Sequence, residues 1–168
     1  IAQALFDNNF TLLDGPDAPE VAYTELNREI LINWGYGPNS EGVRNNFNEG
    51  YIQADPVLKA EGIADSTFEF QGYIVYQLVD NTVSTSELND TDRSRIVAQC
   101  DIKDGVGTIV NRSEQAVEGL SEPIIIDDVM VQGDDDGLFN SIRITEDLFA
   151  QGDDRLLKNY TTYYLSLI

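Results

Sequence analysis

The stretch Phe68-Glu-Phe-Gln-Gly-Tyr-Ile-Val-Tyr-Gln-Leu-Val79 decides the fold class. It alternates with period two. Phe68, Phe70, Ile74, Tyr76 and Leu78 fall on one side, and Glu69, Gln71, Tyr73, Val75 and Gln77 on the other. Aromatic and β-branched residues at this spacing predict a β-strand. Both sides carry apolar groups, which predicts a place inside a sheet and not at its edge. Gly72 stands where a side chain would be, so a bulge or a close approach of another backbone is expected there.

Outward from this strand the chain repeats the pattern in shorter pieces. Glu20 to Asn27 reads as an edge-type strand. Glu29-Ile-Leu-Ile-Asn-Trp34 follows, with Ile30, Ile32 and the single tryptophan, Trp34, on one face. Gly35 to about Ser66 reads as a long irregular connection broken by Gly-Pro, Asn-Asn and Asp-Pro, with Tyr51-Ile52 and Val57-Leu58 as its anchors. Ser84 or Thr85 is expected to cap a short turn. Ser94 to Ile102 reads as another strand, and Asp104-Gly105 as a tight turn. Gly107–Arg112 and Pro123–Val131 pair as an expected hairpin, and Gly133-Asp-Asp-Asp-Gly137 as a turn. Ile142 and Ile144 mark a strand within Leu138–Glu146, and Tyr163, Leu165 and Leu167 alternate in the last one. Short strands separated by turn signals, with no amphipathic helix of useful length, predict an all-β antiparallel sandwich.

Composition narrows function. The chain of 168 residues holds 30 acidic and 10 basic residues, for a formal charge of −20. Such a charge repels phosphate backbones and anionic lipid heads, so nucleic-acid partners are not expected. No run reaches the roughly 18 apolar residues of a spanning helix, so no membrane insertion is expected. Histidine is absent, which removes the commonest general base and transition-metal ligand. The lone Cys100, in the apolar run Ile96–Ile102, reads as a buried structural thiol. Nucleophile elbow, phosphate loop and zinc motifs are missing, and paired carboxylates cleave glycosides only across a cleft at a defined separation. No enzymatic activity is expected.

Three features in order resemble a fibronectin type III domain. They are Pro16-Asp-Ala-Pro19 ahead of the first strand, Ile30-x-Ile32-x-Trp34 in the second, and Leu157 followed by Tyr163, Leu165 and Leu167. The last looks like that family's tyrosine corner, in which the phenol hydroxyl bonds to backbone a few residues upstream. Gly72-Tyr73-x-Val75-Tyr76 is similar in style to the family's third strand. The resemblance covers residues 16–168 and implies an immunoglobulin-like sandwich with long loop insertions, preceded by a segment or linker at 1–15. Its core would hold Ile30, Ile32, Trp34, Ile74, Tyr76, Leu157, Tyr163 and Leu165. The family's seventh strand would lie outside the chain, supplied by sequence after Ile168 or by a neighbouring chain. With Phe6-Asp-Asn-Asn-Phe10 and Asp14–Pro19, the expanded form also resembles modules of large secreted Bacteroidota proteins exported by the type IX route.

A non-catalytic structural or adhesion module, extracellular or at the cell surface, is what the resemblance implies. Its partners would be neighbouring modules of the same protein or copies of itself. The alternatives are a filament subunit completed by strand exchange from Ile1–Phe10, and a calcium- or carbohydrate-binding module. No cofactor is required, and calcium is the one the acidic residues suggest. Candidate calcium ligands are Asp127, Asp128, Asp134, Asp135 and Asp136, whose spacing is not that of an EF-hand. Weaker acidic clusters are Asn89–Asp92, the linker group Asp7, Asn8, Asn9, Asp14 and Asp17, and Asp153-Asp154. Tyr36, Phe47 and Tyr51 are the candidates for stacking on a sugar, and Asp65-Ser66-Thr67 has the form of a Bacteroidota O-glycosylation site.

Overall fold

The computed structural model describes residues 15–37, 50–64, 66–115 and 124–168, and leaves out the side chains at 109, 111–115, 127, 128, 130 and 131. Phe47, Asp65 and the residues before Gly15 therefore lie outside the described residues, and with them most of the expected N-terminal linker and its acidic group. The described chain is mostly antiparallel β-sheet, with almost no helix. It divides into two compact units, Ile1–Gln71 with Asn140–Ile144, and Gly72–Phe139 with Thr145–Ile168.

In the first unit, β1 (Glu20–Leu26), β2 (Glu29–Gly35) and β9 (Ser141–Ile144) form one sheet with β2 at its centre. The register places Tyr23 and Ile142 opposite Ile32, Val21 opposite Trp34, and Ile144 opposite Ile30. Period two thus collects one apolar face. Ile32, Trp34 and Ile144 are buried on it, and Ile30 is half-buried. The Trp34 N–H donates to the Asn140 carbonyl at 2.9 Å, which extends the β2–β9 ladder past the last register pair. β1 is exposed along its whole length, as an edge strand can be.

The same unit holds β3 (Ile52–Ala54) paired with β4 (Thr67–Glu69), and between them helix α1 (Pro56–Ala60). This corrects the expectation of an irregular connection. Asp55-Pro56 starts the helix and does not break the chain. The Asp55 carboxylate accepts from Val57 N at 2.7 Å and Leu58 N at 3.2 Å, while Pro56 occupies the first turn, where its missing N–H goes unneeded. The stretch from Phe68 to Val79 is likewise two strands and not one. β4 ends at Glu69, and β5 (Gly72–Leu78) begins after Phe70-Gln71.

In the second unit β5 lies between β6 (Ser94–Asp101) and β10 (Tyr164–Leu167). It is an interior strand, and both of its faces carry buried side chains. The deeper side is that of Tyr73, Val75 and Gln77, which are buried, whereas Ile74 and Leu78 are only half-buried. Tyr76 is buried from the other side, next to a register shift between Val75 and Tyr76 against β6. Gly72 faces Asp101 in register, and a β-carbon there would lie 2.1 Å from the Cys100 carbonyl oxygen. The expected close backbone approach is therefore present. β7 (Thr108–Gln115) and β8 (Ile124–Gln132) form a separate hairpin, longer than the sequence suggested.

Leu157 is buried, and its N–H donates to the Thr145 carbonyl at 2.9 Å. Tyr163 and Leu165 are half-buried. The Tyr163 hydroxyl accepts from the Lys158 N–H, five residues upstream, at 2.8 Å. Tyr163→Phe is therefore expected to cost about 1 kcal/mol, the net value of one such bond. Urea denaturation measures it, and an unchanged midpoint would mean that the hydroxyl ties nothing down.

Candidate functional site

The acidic residues meet where β6 ends. Beyond Asp101 the chain bends through Lys103-Asp104-Gly105, with Gly105 at φ +89° and Asp104 Oδ1 accepting from Val106 N at 2.9 Å. Beyond β8 the Gly133–Gly137 loop returns to the same place. Gly133 N donates to the Gly107 carbonyl at 3.0 Å, and Asp135 N to Asp101 Oδ2 at 3.1 Å. Asp135, at φ +52°, sends its own Oδ1 back to accept from Asp104 N at 2.8 Å and Gly105 N at 2.9 Å. Two acidic loops, distant in sequence, are thus stitched by carboxylates capping each other's amides. Bonds of this charge-assisted kind are worth about 1.5–3 kcal/mol each.

This arrangement spreads the expected calcium ligands of the Asp134–Asp136 turn. The three carboxylates do not converge: Asp134 and Asp136 are exposed, and one oxygen of Asp135 is committed to backbone amides. Asp127 and Asp128 stand in β8 opposite Arg112 and Asn111, and their side chains lie outside those described. Among the described residues no three acidic or thiol side chains gather as a ready-made cluster. The residue that sequence reasoning missed is Asp101, which is only 7% exposed. Its signal was a carboxylate at the end of an apolar run. Gly133 is required beside it, since a β-carbon would fall 2.0 Å from Asp101 Oδ2 and 2.7 Å from the Gly107 carbonyl oxygen.

Of the three candidates for stacking on a sugar, Tyr36 and Tyr51 are described. Tyr36 is buried, continuing the Ile32–Trp34 alternation, and its hydroxyl donates to the Asp17 carbonyl. The Tyr51 hydroxyl donates to Gln53 Oε1 at 3.0 Å, and Phe47 is not described. No protein-family model, curated protein or solved structure matches the chain.

The remaining polar clusters serve local structure. Asp90 Oδ1 accepts from Asp92 N at 3.0 Å, and Arg93 pairs with Asp80 and Glu87, each at 3.3 Å. Hydrogen bonds from Thr82 hold the Asp80 carboxyl below the usual range, and those from Ser84 do the same for Glu87, with Arg93 adding to both. Ser84 is the N-cap of the 3-10 turn Thr85–Glu87. Asp154 caps Leu156 N at 3.2 Å. Gln77, deeply buried, donates to Asp147 Oδ1 at 2.7 Å and accepts from Leu148 N at 2.8 Å. Arg95 holds the same loop through the Leu148 carbonyl, with its guanidinium 4.6 Å over the Phe149 ring. Cys100 donates to the Phe139 carbonyl at 3.6 Å, and burial pushes its thiol pKa up, away from the reactive thiolate. No described helix is long and apolar enough to cross a membrane.

Proposed function

We propose that the chain is a non-catalytic, immunoglobulin-like structural or adhesion module of a secreted or cell-surface protein, placed between neighbouring modules. One observation carries the reading, the order of strands. Set aside the β3–β4 and β7–β8 hairpins, and six strands remain. The first, second and fifth of them share one sheet, and the sixth, third and fourth share another. Immunoglobulin-like sandwiches place A, B and E together and F, C and C′ together in the same way. The bond from Lys158 N to the Tyr163 hydroxyl supports a tyrosine corner on the sixth strand. Gln77, Arg95, Asp101 and Asp135 spend their polar groups on holding loops to strands, as a mechanical spacer requires.

Sedimentation of the chain at high concentration, combined with pulling between its ends, tests this. A spacer should remain monomeric, unfold in discrete force steps and recover on relaxation. Concentration-dependent polymers would overturn the reading in favour of a filament joined by strand exchange. Structureless, continuous extension would overturn it as well.

A further inference from the structure

We infer that the stitched loops at the end of β6 hold a calcium ion, anchored on Asp101. The Asp101 side chain is buried, and its two oxygens differ. Oδ2 accepts from Asp135 N at 3.1 Å, while Oδ1 is sealed from solvent and has no hydrogen-bond partner among the described residues. A buried carboxylate oxygen is ordinarily matched by donors or by a metal, because an unmatched charge away from water is strongly disfavoured. The carboxylate is turned into the acidic loop, and Gly133 gives up its side chain to make room for it.

A water molecule could fill the hydrogen-bonding role, but it would leave the charge. Residues 101–107 and 133–137 carry Asp101, Asp104, Asp134, Asp135 and Asp136 against Lys103 alone. A cation meets both needs. With no histidine and no second cysteine, the donors are oxygens, which selects a hard cation. Calcium accepts six to eight mixed carboxylate, carbonyl and water oxygens in irregular geometry, whereas magnesium insists on an octahedron. Asp101 Oδ1 is the anchoring ligand. The Asp135 carboxylate, loop carbonyls and water complete the shell. Because three carboxylates do not converge, the affinity belongs with the weak sites of extracellular modules, a Kd on the order of 0.1–1 mM.

The test is calorimetry and thermal denaturation of the chelator-treated chain with calcium chloride. One-site binding is expected, with a melting temperature raised by roughly 3 to 8 °C at about 10 mM. Magnesium at that concentration should do much less. Asp101→Asn should abolish binding and Asp135→Asn should weaken it about tenfold or more, while Asp153→Asn, in an exposed loop elsewhere, should bind like the parent. Should Asp101→Asn not fold, Asp135→Asn decides. The amide that replaces the Asp135 carboxylate keeps a carbonyl oxygen to accept from Asp104 N and Gly105 N but carries no charge. A melting temperature unmoved by calcium would overturn the inference. So would equal shifts with magnesium, or variants at 101 and 135 that bind like the parent. The buried oxygen would then be met by water alone.

Discussion

Replacing Gly72 with alanine is expected to destabilise the chain by about 3 kcal/mol or more, a large effect for one methyl group. The added β-carbon would stand 2.1 Å from the Cys100 carbonyl oxygen, 2.8 Å from the Asp101 α-carbon and 3.0 Å from the Cys100 carbonyl carbon. All three are backbone atoms of β6, the partner strand. A flexible side chain could swing away, but a paired backbone yields only by opening the ladder. The pair Gly72–Asp101 stands at the end of that ladder, so the strain falls where the acidic loops are stitched. Gly72→Ala should therefore lower the urea midpoint by roughly 1–2 M. Calcium binding, if anchored on Asp101, should weaken with it. Gly15→Ala is the control. Among the described residues nothing lies within 4 Å of a β-carbon at Gly15, and its stability should stay within about 0.5 kcal/mol of the parent. If the two substitutions behave alike, the close approach of β5 and β6 is wrong.

Gly72 also marks how far sequence carries. A glycine inside an alternating apolar row has few physical explanations, and one of them is what the backbone shows. Alternation likewise gave the antiparallel strands around Trp34 and Ile96, because period two is a local property. What alternation cannot say is which strand pairs with which. Phe68 and Phe70 share the phase of Ile74 and Tyr76, so nothing local announces that β4 pairs with β3 while β5 pairs with β6. Both faces of β5 are apolar, and the choice of the deeper one lay with its neighbours. Tyr36 was legible and overlooked: it continues the phase of Ile30, Ile32 and Trp34 by one more step. The Asp-Pro pair at 55 and 56 was ambiguous, since the same dipeptide ends a strand or begins a helix. The site was the least legible part. Asp101 and Asp135 meet across 34 positions of sequence, and no periodicity encodes such a bond. Counting carboxylates found the turn but not Asp101, because a single aspartate at the end of a strand carries no local sign of the loop that folds onto it.

Trp34→Ala should remove about 3–5 kcal/mol, the range for deleting a buried large aromatic side chain. Trp34 is 5% exposed, near the end of the central strand of its sheet, in a row with Ile32 and Ile30. Truncation leaves a cavity whose lining loses its contacts, and rigid strands on both sides limit collapse into it. Domains are commonly stable by only about 5–15 kcal/mol, so the variant should sit near the edge of folding at room temperature. Trp34→Phe keeps most of the volume and should cost less than half as much, which keeps the measurement in range if alanine does not fold. The neighbour across the register supplies the contrast. Val21 pairs with Trp34 on the same face yet is 52% exposed, so Val21→Ala should change stability by less than about 1 kcal/mol. Far-ultraviolet circular dichroism melts read all three without relying on tryptophan emission. The order expected is alanine at 34 far below phenylalanine at 34, with alanine at 21 close to the parent. Comparable losses at 21 and 34 would mean that the burial of this face is not graded from edge to centre, and the sheet assignment would fall with it.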